Sequence, residues 1–192
     1  MTDPATQRYA AAPAPASLRR VQSFLNTRAA GSPPEPDLLL RPASANSWLR
    51  TLDWPITPRL RAEDLPALRS ARAALQEDVE ARGRGTDPTT PGRELDDILA
   101  RLRWRLTLKD GQLALAADGT GWQQVAGCLL ADVQLAQQQD LWRRLKACRN
   151  ARCAVVFYDN SKNRSRVWHN TAICGNLINL QAARARQRDQ RA

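Results

Sequence analysis

Three of the four cysteines and the only histidine of the chain fall within residues 148–174. They read Cys148-Arg-Asn-Ala-Arg-Cys153, fifteen intervening residues, then His169-Asn-Thr-Ala-Ile-Cys174, a C-x4-C-x15-H-x4-C pattern. Two close pairs of soft ligands separated by a short loop are what a tetrahedral Zn2+ ion requires. Each pair approaches the metal from one local turn, and the loop lets the turns face each other. The alternative is three buried thiols and an incidental histidine. The sole histidine standing where a fourth ligand is needed favours the metal. Cys148, Cys153, His169 and Cys174 are therefore the expected ligands, and four protein ligands leave no position open for a catalytic water.

Charge divides the chain near residue 140. Residues 141–192 hold twelve Lys and Arg against Asp159 and Asp189, and residues 1–140 hold seventeen of each sign. A neutral N-terminal part thus precedes a strongly basic C-terminal part, and such asymmetry points to a polyanionic partner. No apolar run reaches the length of a transmembrane helix. The first sixteen residues are rich in Ala and Pro and lack the apolar stretch of a signal peptide, so 1–16 is expected to be a disordered tail. Four cysteines with metal spacing and no export signal point to a reducing cytoplasm.

The intervening sequence is mainly helical. Leu18, Val21, Phe24 and Leu25 give a short helix within 17–29, with Ser17 as N-cap. Ser44 is expected to cap a second helix through Trp48, Leu49 and Leu52. Residues 63–82 carry the clearest stripe, Leu65, Leu68, Ala71, Leu75 and Val79, ended by Gly83 and Gly85. Thr86–Thr90 reads as a polar loop, and Pro91 opens a helix with Leu95, Ile98, Leu99 and Leu102. At Trp104 the period changes to two. Trp104, Leu106 and Leu108 alternate with polar residues, Asp110-Gly111 signals a hairpin, and Leu113 and Leu115 lie on the return strand. A long helix follows over about 121–139, with Cys128 read as a small buried thiol. Beyond it, 141–147 leads into the first ligand pair and Ala154–Tyr158 is a short strand. Asn170 is placed to cap a helix over about 171–188, with Cys174 in its first turns. One ligand pair from a β-knuckle and one from a helix start resembles a treble clef. The fold class expected is α+β and mainly helical: a helical domain with one small hairpin over 17–139, then a treble-clef-like finger over 140–192 that ends in a basic helix.

Several of these stretches look like the CGNR zinc-finger family, whose finger usually follows a helical domain called ABATE. The likeness is carried by Cys148-x4-Cys153, Phe157-Tyr-Asp159, Ser161-Lys-Asn-Arg-Ser165, Trp168 and Cys174-Gly-Asn176. Phe24-Leu-Asn-Thr27 and Ala45-Asn-Ser-Trp-Leu49 resemble the first domain more weakly, and the whole likeness spans about residues 18–188. Two positions depart from the pattern. The family usually has Cys where this chain has His169, and the signature Cys-Gly-Asn-Arg reads Cys174-Gly-Asn-Leu177. The resemblance implies a bacterial transcriptional regulator linked to stress responses.

The N-terminal part shows no catalytic pattern: no histidine, no Gly-rich phosphate loop and no G-x-S-x-G. Its acidic pairs, Glu77-Asp78 and Asp96-Asp97, read as solvated helix charges. An enzyme is the least favoured class, because the one histidine is committed to metal. The leading function is zinc-dependent nucleic-acid binding, with DNA favoured over RNA. Its contacts are expected from Lys162, Arg164 and Arg166 on the inter-ligand loop and from Arg184, Arg186 and Arg188 on the last helix. The rival reading is a zinc-stabilised protein-interaction module joined to an N-terminal domain that senses a small molecule. Metal loss is expected to unfold the finger locally and to leave residues 17–139 folded.

Overall fold

A computed structural model describes residues 3–16, 18–31, 33–85 and 93–189. In order, these form α1 (Pro4–Gln7), α2 (Leu18–Leu25), α3 (Pro42–Leu49), α4 (Leu65–Arg84), α5 (Arg93–Ala100), β1 (Arg103–Lys109), β2 (Gln112–Asp118), α6 (Trp122–Gln138), β3 (Leu145–Ala147), β4 (Val156–Tyr158) and α7 (Asn176–Asp189). The result is a mixed α+β fold with two separate two-stranded antiparallel hairpins, β1–β2 and β3–β4.

The expected elements are recovered with small shifts in their ends. In α3 it is Pro42, not Ser44, that opens the helix, because its fixed φ suits the first turn. The Ser44 hydroxyl instead donates to the carbonyls of Leu38 and Arg41. Gly83 lies inside α4, and Gly85 alone ends it in a left-handed conformation at φ 73°. The expected cap at Ser17, the loop Thr86–Thr90 and the helix start at Pro91 lie outside the described residues. Asp110 and Gly111 both have positive φ, 50° and 75°, as the tightest hairpin turn demands.

The largest correction concerns the N-terminus. Residues 3–16 are not a tail but a packed strap. Asp3, Ala5 and Thr6 are fully buried, and Tyr9, Ala11 and Ala14 are buried. The Asp3 carboxylate caps α1 by accepting from Thr6 N–H, and it also accepts from the Ser23 hydroxyl at 2.6 Å. The Arg8 guanidinium donates to the carbonyls of Pro36, Asn26 and Arg28. Ala/Pro composition reads as disorder because it lacks large apolar residues. Here small residues and backbone-directed hydrogen bonds seat the strap instead.

One core runs through both electrostatic halves. Phe24, Trp48, Leu68, Leu75, Val125 and Leu129 pack with Trp142, Leu145 and Val156 from beyond residue 140. A second cluster joins Tyr9, Ala11 and Ala30 to Cys148, Cys153, Val155, Phe157 and Cys174. The C-terminal segment is therefore docked into the helical part and does not hang from it. Polar side chains stitch the seam. The Asn26 side chain donates to the Val156 carbonyl at 2.8 Å and accepts from Val156 N–H at 2.9 Å, so it pairs the outer edge of β4 as another strand would. Gly31 N–H donates to the Cys153 carbonyl at 2.8 Å.

Candidate metal centre

Local backbone chemistry builds each ligand pair. Cys148 follows β3, and its N–H donates to the Val155 carbonyl at 2.8 Å, which closes the knuckle. Inside it, the buried Asn150 accepts from Arg152 N–H through its side chain and from Cys153 N–H through its carbonyl. Such Asx turns suit a short loop that must reverse between two ligands. Arg149 N–H donates to the Val167 carbonyl at 2.9 Å, so the fifteen-residue loop returns to the knuckle just before His169. At the second pair, the Asn170 side chain accepts from Ile173 N–H, as expected of a cap. The turn it opens, Thr171–Gly175, is one wide π turn before α7 begins. π turns of this kind recur at functional sites.

The four expected ligands meet. Cys148, Cys153, His169 and Cys174 are all buried, and their ligand atoms lie within 4.8 Å of one another. The His169 Nδ1 atom is 3.3 Å from the Cys153 sulfur and 3.7 Å from the Cys174 sulfur. A tetrahedral zinc with ordinary Zn–S and Zn–N bonds has edges of about 3.5–3.8 Å, so this spacing suits the ion. The donor set and its geometry therefore fit a metal ion, and the chemistry of three sulfurs and one nitrogen fits zinc. Cys128 stands apart, half-buried on α6, with its thiol pushed up to about 11 by burial and by Asp132, against Arg20.

The three thiols are shifted unequally by one another. Hydrogen bonds from Cys153 and His169 pull the Cys148 thiol down to about 4 against the effect of burial. Cys153, the donor of that pair, is pushed up correspondingly, and burial raises Cys174. The Asn150 amide donates to the Cys174 sulfur at 3.6 Å, a contact that steadies a thiolate and ties the two ligand pairs together.

The loop between the pairs is wound around a buried carboxylate. Asp159 is fully buried. It accepts from Lys146 Nζ at 2.7 Å, from Ser161 N–H and hydroxyl, and from Arg166 N–H at 2.9 Å. Burial pushes this carboxyl up, but the hydrogen bonds from Lys146 and Ser161 outweigh it and hold the group at about 2. Lys146 also donates to the carbonyls of Arg164 and Arg166.

The cations expected to meet nucleic acid are in different situations. Lys162 is exposed. Arg164 pairs with Asp140 at 2.6 Å, and Arg166 donates to the His169 carbonyl at 3.0 Å and lies over the Phe157 ring. Arg184 and Arg186 lie on α7, about 12 Å or more from its start by helix rise. The Arg188 side chain is outside the described residues.

The CGNR zinc finger model matches residues 144–187. That span contains all four clustered ligands and under a quarter of the chain. No curated protein matches the sequence. The finding supports a zinc-binding module at the C-terminus, of a kind that engages nucleic acid or protein. Among the described residues no helix is long and apolar enough to cross a membrane.

Sequence reasoning missed two groups here. Asn26 braces β4 from the end of α2 and Asn150 braces the ligands from inside the knuckle, and a lone asparagine carries no signal that it will pair a strand edge or a thiolate. It also missed Arg82 and Arg84 at the end of α4. The fold brings both to the finger.

Proposed function

We propose that this chain is a zinc-stabilised nucleic-acid-binding protein, with DNA as the favoured partner, acting in bacterial transcriptional control. In this reading the metal sits in a treble-clef arrangement, with Cys148 and Cys153 on the knuckle and His169 and Cys174 at the helix start. The zinc is structural: all four positions are filled by protein, so no enzyme activity is assigned to it. The helical part before it takes the place of an ABATE domain, and the protein works in the cytoplasm under stress conditions.

The observation that carries the reading is charge on a metal-fixed frame. Ten net positive charges lie beyond residue 140, where the zinc finger match falls. Phosphate binding by about six such cations would weaken roughly a thousandfold between 50 and 200 mM salt. The test is fluorescence anisotropy with a labelled random-sequence duplex at several salt concentrations. Steep salt dependence is expected, and zinc-loaded protein with no salt-sensitive binding to duplex or single strand would overturn the proposal.

A second reading has its own support. Ile173, Leu177 and Leu180 are exposed at helical spacing, and Leu177 stands where the family signature has Arg. That stripe suits a protein partner better than a phosphate. Heparin separates the two: it displaces a partner held by charge and spares one held on this stripe.

A further inference from the structure

The cationic surface around the finger is not confined to it. Two adjoining cavities, of about 460 and 570 Å3, lie between the end of α4 and the finger, and both are lined by Arg82, Gly83 and Lys146. The first also takes in Arg84, Arg149 and Arg166, with Glu80 as its only acid. The second adds Arg143 and Arg164, both paired with Asp140 at 2.6 Å. Gly83, Ala147, Ala151 and Ala154 supply small walls between these cations. A concave surface lined by one sign of charge focuses the field and concentrates counter-ions.

The other cations fall into two groups. Those on the floor are held in place. Arg82 donates to Asp78 at 2.9 Å and to the Trp142 carbonyl at 3.0 Å, and its guanidinium lies 4.6 Å from the centre of the Trp142 ring. Lys146 is held by Asp159, and Arg166 by the His169 carbonyl. The rim residues remain available. Arg84 is exposed and has only a loose 3.8 Å pairing with Glu80. Arg149 is exposed on the metal knuckle itself. Pre-positioned floor charges with two reaching rim guanidiniums make a phosphate site of the usual kind, since planar guanidinium groups match phosphate oxygens.

We propose that this trough binds the phosphate backbone of nucleic acid, so that the contact surface spans α4 and the zinc knuckle together. The proposal rests on the nucleic-acid reading above and deepens it. It shifts the main phosphate contacts from Arg184 and Arg186 on α7 to Arg84 and Arg149. It also gives the helical part a direct share in binding. Zinc then acts on affinity by fixing Arg149 against α4.

The experiment uses the full zinc-loaded chain and a labelled 20-base-pair duplex, with the single strand of the same sequence in parallel. Binding is measured from 50 to 200 mM NaCl for wild type, Arg84→Ala/Arg149→Ala, Arg84→Lys/Arg149→Lys and Arg184→Ala/Arg186→Ala. Both rim residues are exposed, so unchanged zinc content and melting temperature are expected in the first double variant. Its affinity should fall at least about tenfold, and its salt slope should drop by about two, one for each phosphate left without its arginine. The lysine variant should regain most of the slope. If wild type binds and the alanine variant matches it in affinity and slope, the trough is overturned and the nucleic-acid reading stands. If wild type binds neither duplex nor single strand, both fall. Displacement of the duplex by pyrophosphate beyond the effect of matched ionic strength would make this a small-anion site and would also overturn the proposal.

Discussion

The two hairpins have the same topology and opposite fates. β3–β4 is three residues per strand, and Leu145, Val156 and Phe157 are buried within it. β1–β2 is seven residues per strand, yet Leu106, Leu108 and Leu113 are 70%, 71% and 73% exposed. The cross-strand pairs Leu106–Leu115 and Leu108–Leu113 put these residues on one face. Only the near end of that face is covered, where Trp104 packs on the core and Ala117 meets Gly127 of α6. Period-two patterning thus tells which residues share a face and not whether anything lies on it. The shorter hairpin is secured by groups outside the strands: metal ligands at its turn, Asn26 along its edge and the Lys146–Asp159 pair beneath its loop.

Breaking the metal site should have the largest effect. Structural zinc contributes on the order of 10 kcal/mol to small zinc domains. Cys153→Ser should lose the ion and lower the melting temperature of the whole chain, because the knuckle shares a cluster with Tyr9, Ala11 and Ala30. Elemental analysis with far-UV and tryptophan melts would check this. Loss of zinc with the helical part melting as before would mean that the two parts fold independently, as the sequence alone suggested.

The buried ion pair comes next. Lys146→Met leaves the fully buried Asp159 without its cation, a change that costs about 3–5 kcal/mol near neutral pH. Asp159 has a folded pKa of about 2, below the roughly 3.9 of an unfolded aspartate, so its contribution is present above about pH 4 and lost as pH falls toward 2. The stability gap between wild type and Lys146→Met should therefore be widest near neutral pH and shrink as pH falls toward 2, because Asp159 protonates first in the variant and then in wild type. Urea midpoints across that range read the gap directly, and a gap unchanged by pH would remove Asp159 as its cause.

Asn26→Ala should cost about 1–3 kcal/mol, since it strands the buried Val156 N–H and leaves the Val156 carbonyl only the longer 3.4 Å bond from Gln22. Amide exchange at Val156 gives a site-specific check: protection there should collapse before protection in α4 does.

The contrast also marks what the sequence could disclose. The ligand set Cys148, Cys153, His169 and Cys174 was legible because metal chemistry restricts residue type and spacing together, and the four atoms do meet. The helices from α2 onward and the Asp110-Gly111 turn were legible from periodicity and backbone preference. The strap of residues 3–16 was not, because alanines and prolines carry no periodic signal and their burial is decided by partners far along the chain. The same holds for Asn26, whose role exists only once β4 lies beside it. The exposed leucines of β1–β2 failed in the opposite direction, with a clear pattern and no cover.

Gly127 sets the position of the longer hairpin. A Cβ there would collide with the Cβ of Ala117, so Gly127→Ala must push β2 away from α6. Overpacking of this kind costs about 1–3 kcal/mol. Because β3–β4 does not depend on that contact, zinc content should be unchanged, and reduced zinc would show that the two hairpins communicate through α6.

The smallest effect is expected at the exposed leucines. Leu108→Thr removes an apolar side chain that is already mostly in water and replaces it with a residue of good strand propensity. Its change in stability should lie within about 0.5 kcal/mol, the range of ordinary surface substitutions. Leu145→Ala in β3, on a fully packed side chain, should cost about 2–5 kcal/mol. Urea denaturation of both variants measures the difference between the hairpins on one scale. A loss above about 1.5 kcal/mol for Leu108→Thr would mean that its face is covered in solution, since no contact within the described residues accounts for such a cost. Repeating that measurement at a tenfold lower protein concentration would then show whether the cover is a second copy, because only an intermolecular contact weakens on dilution.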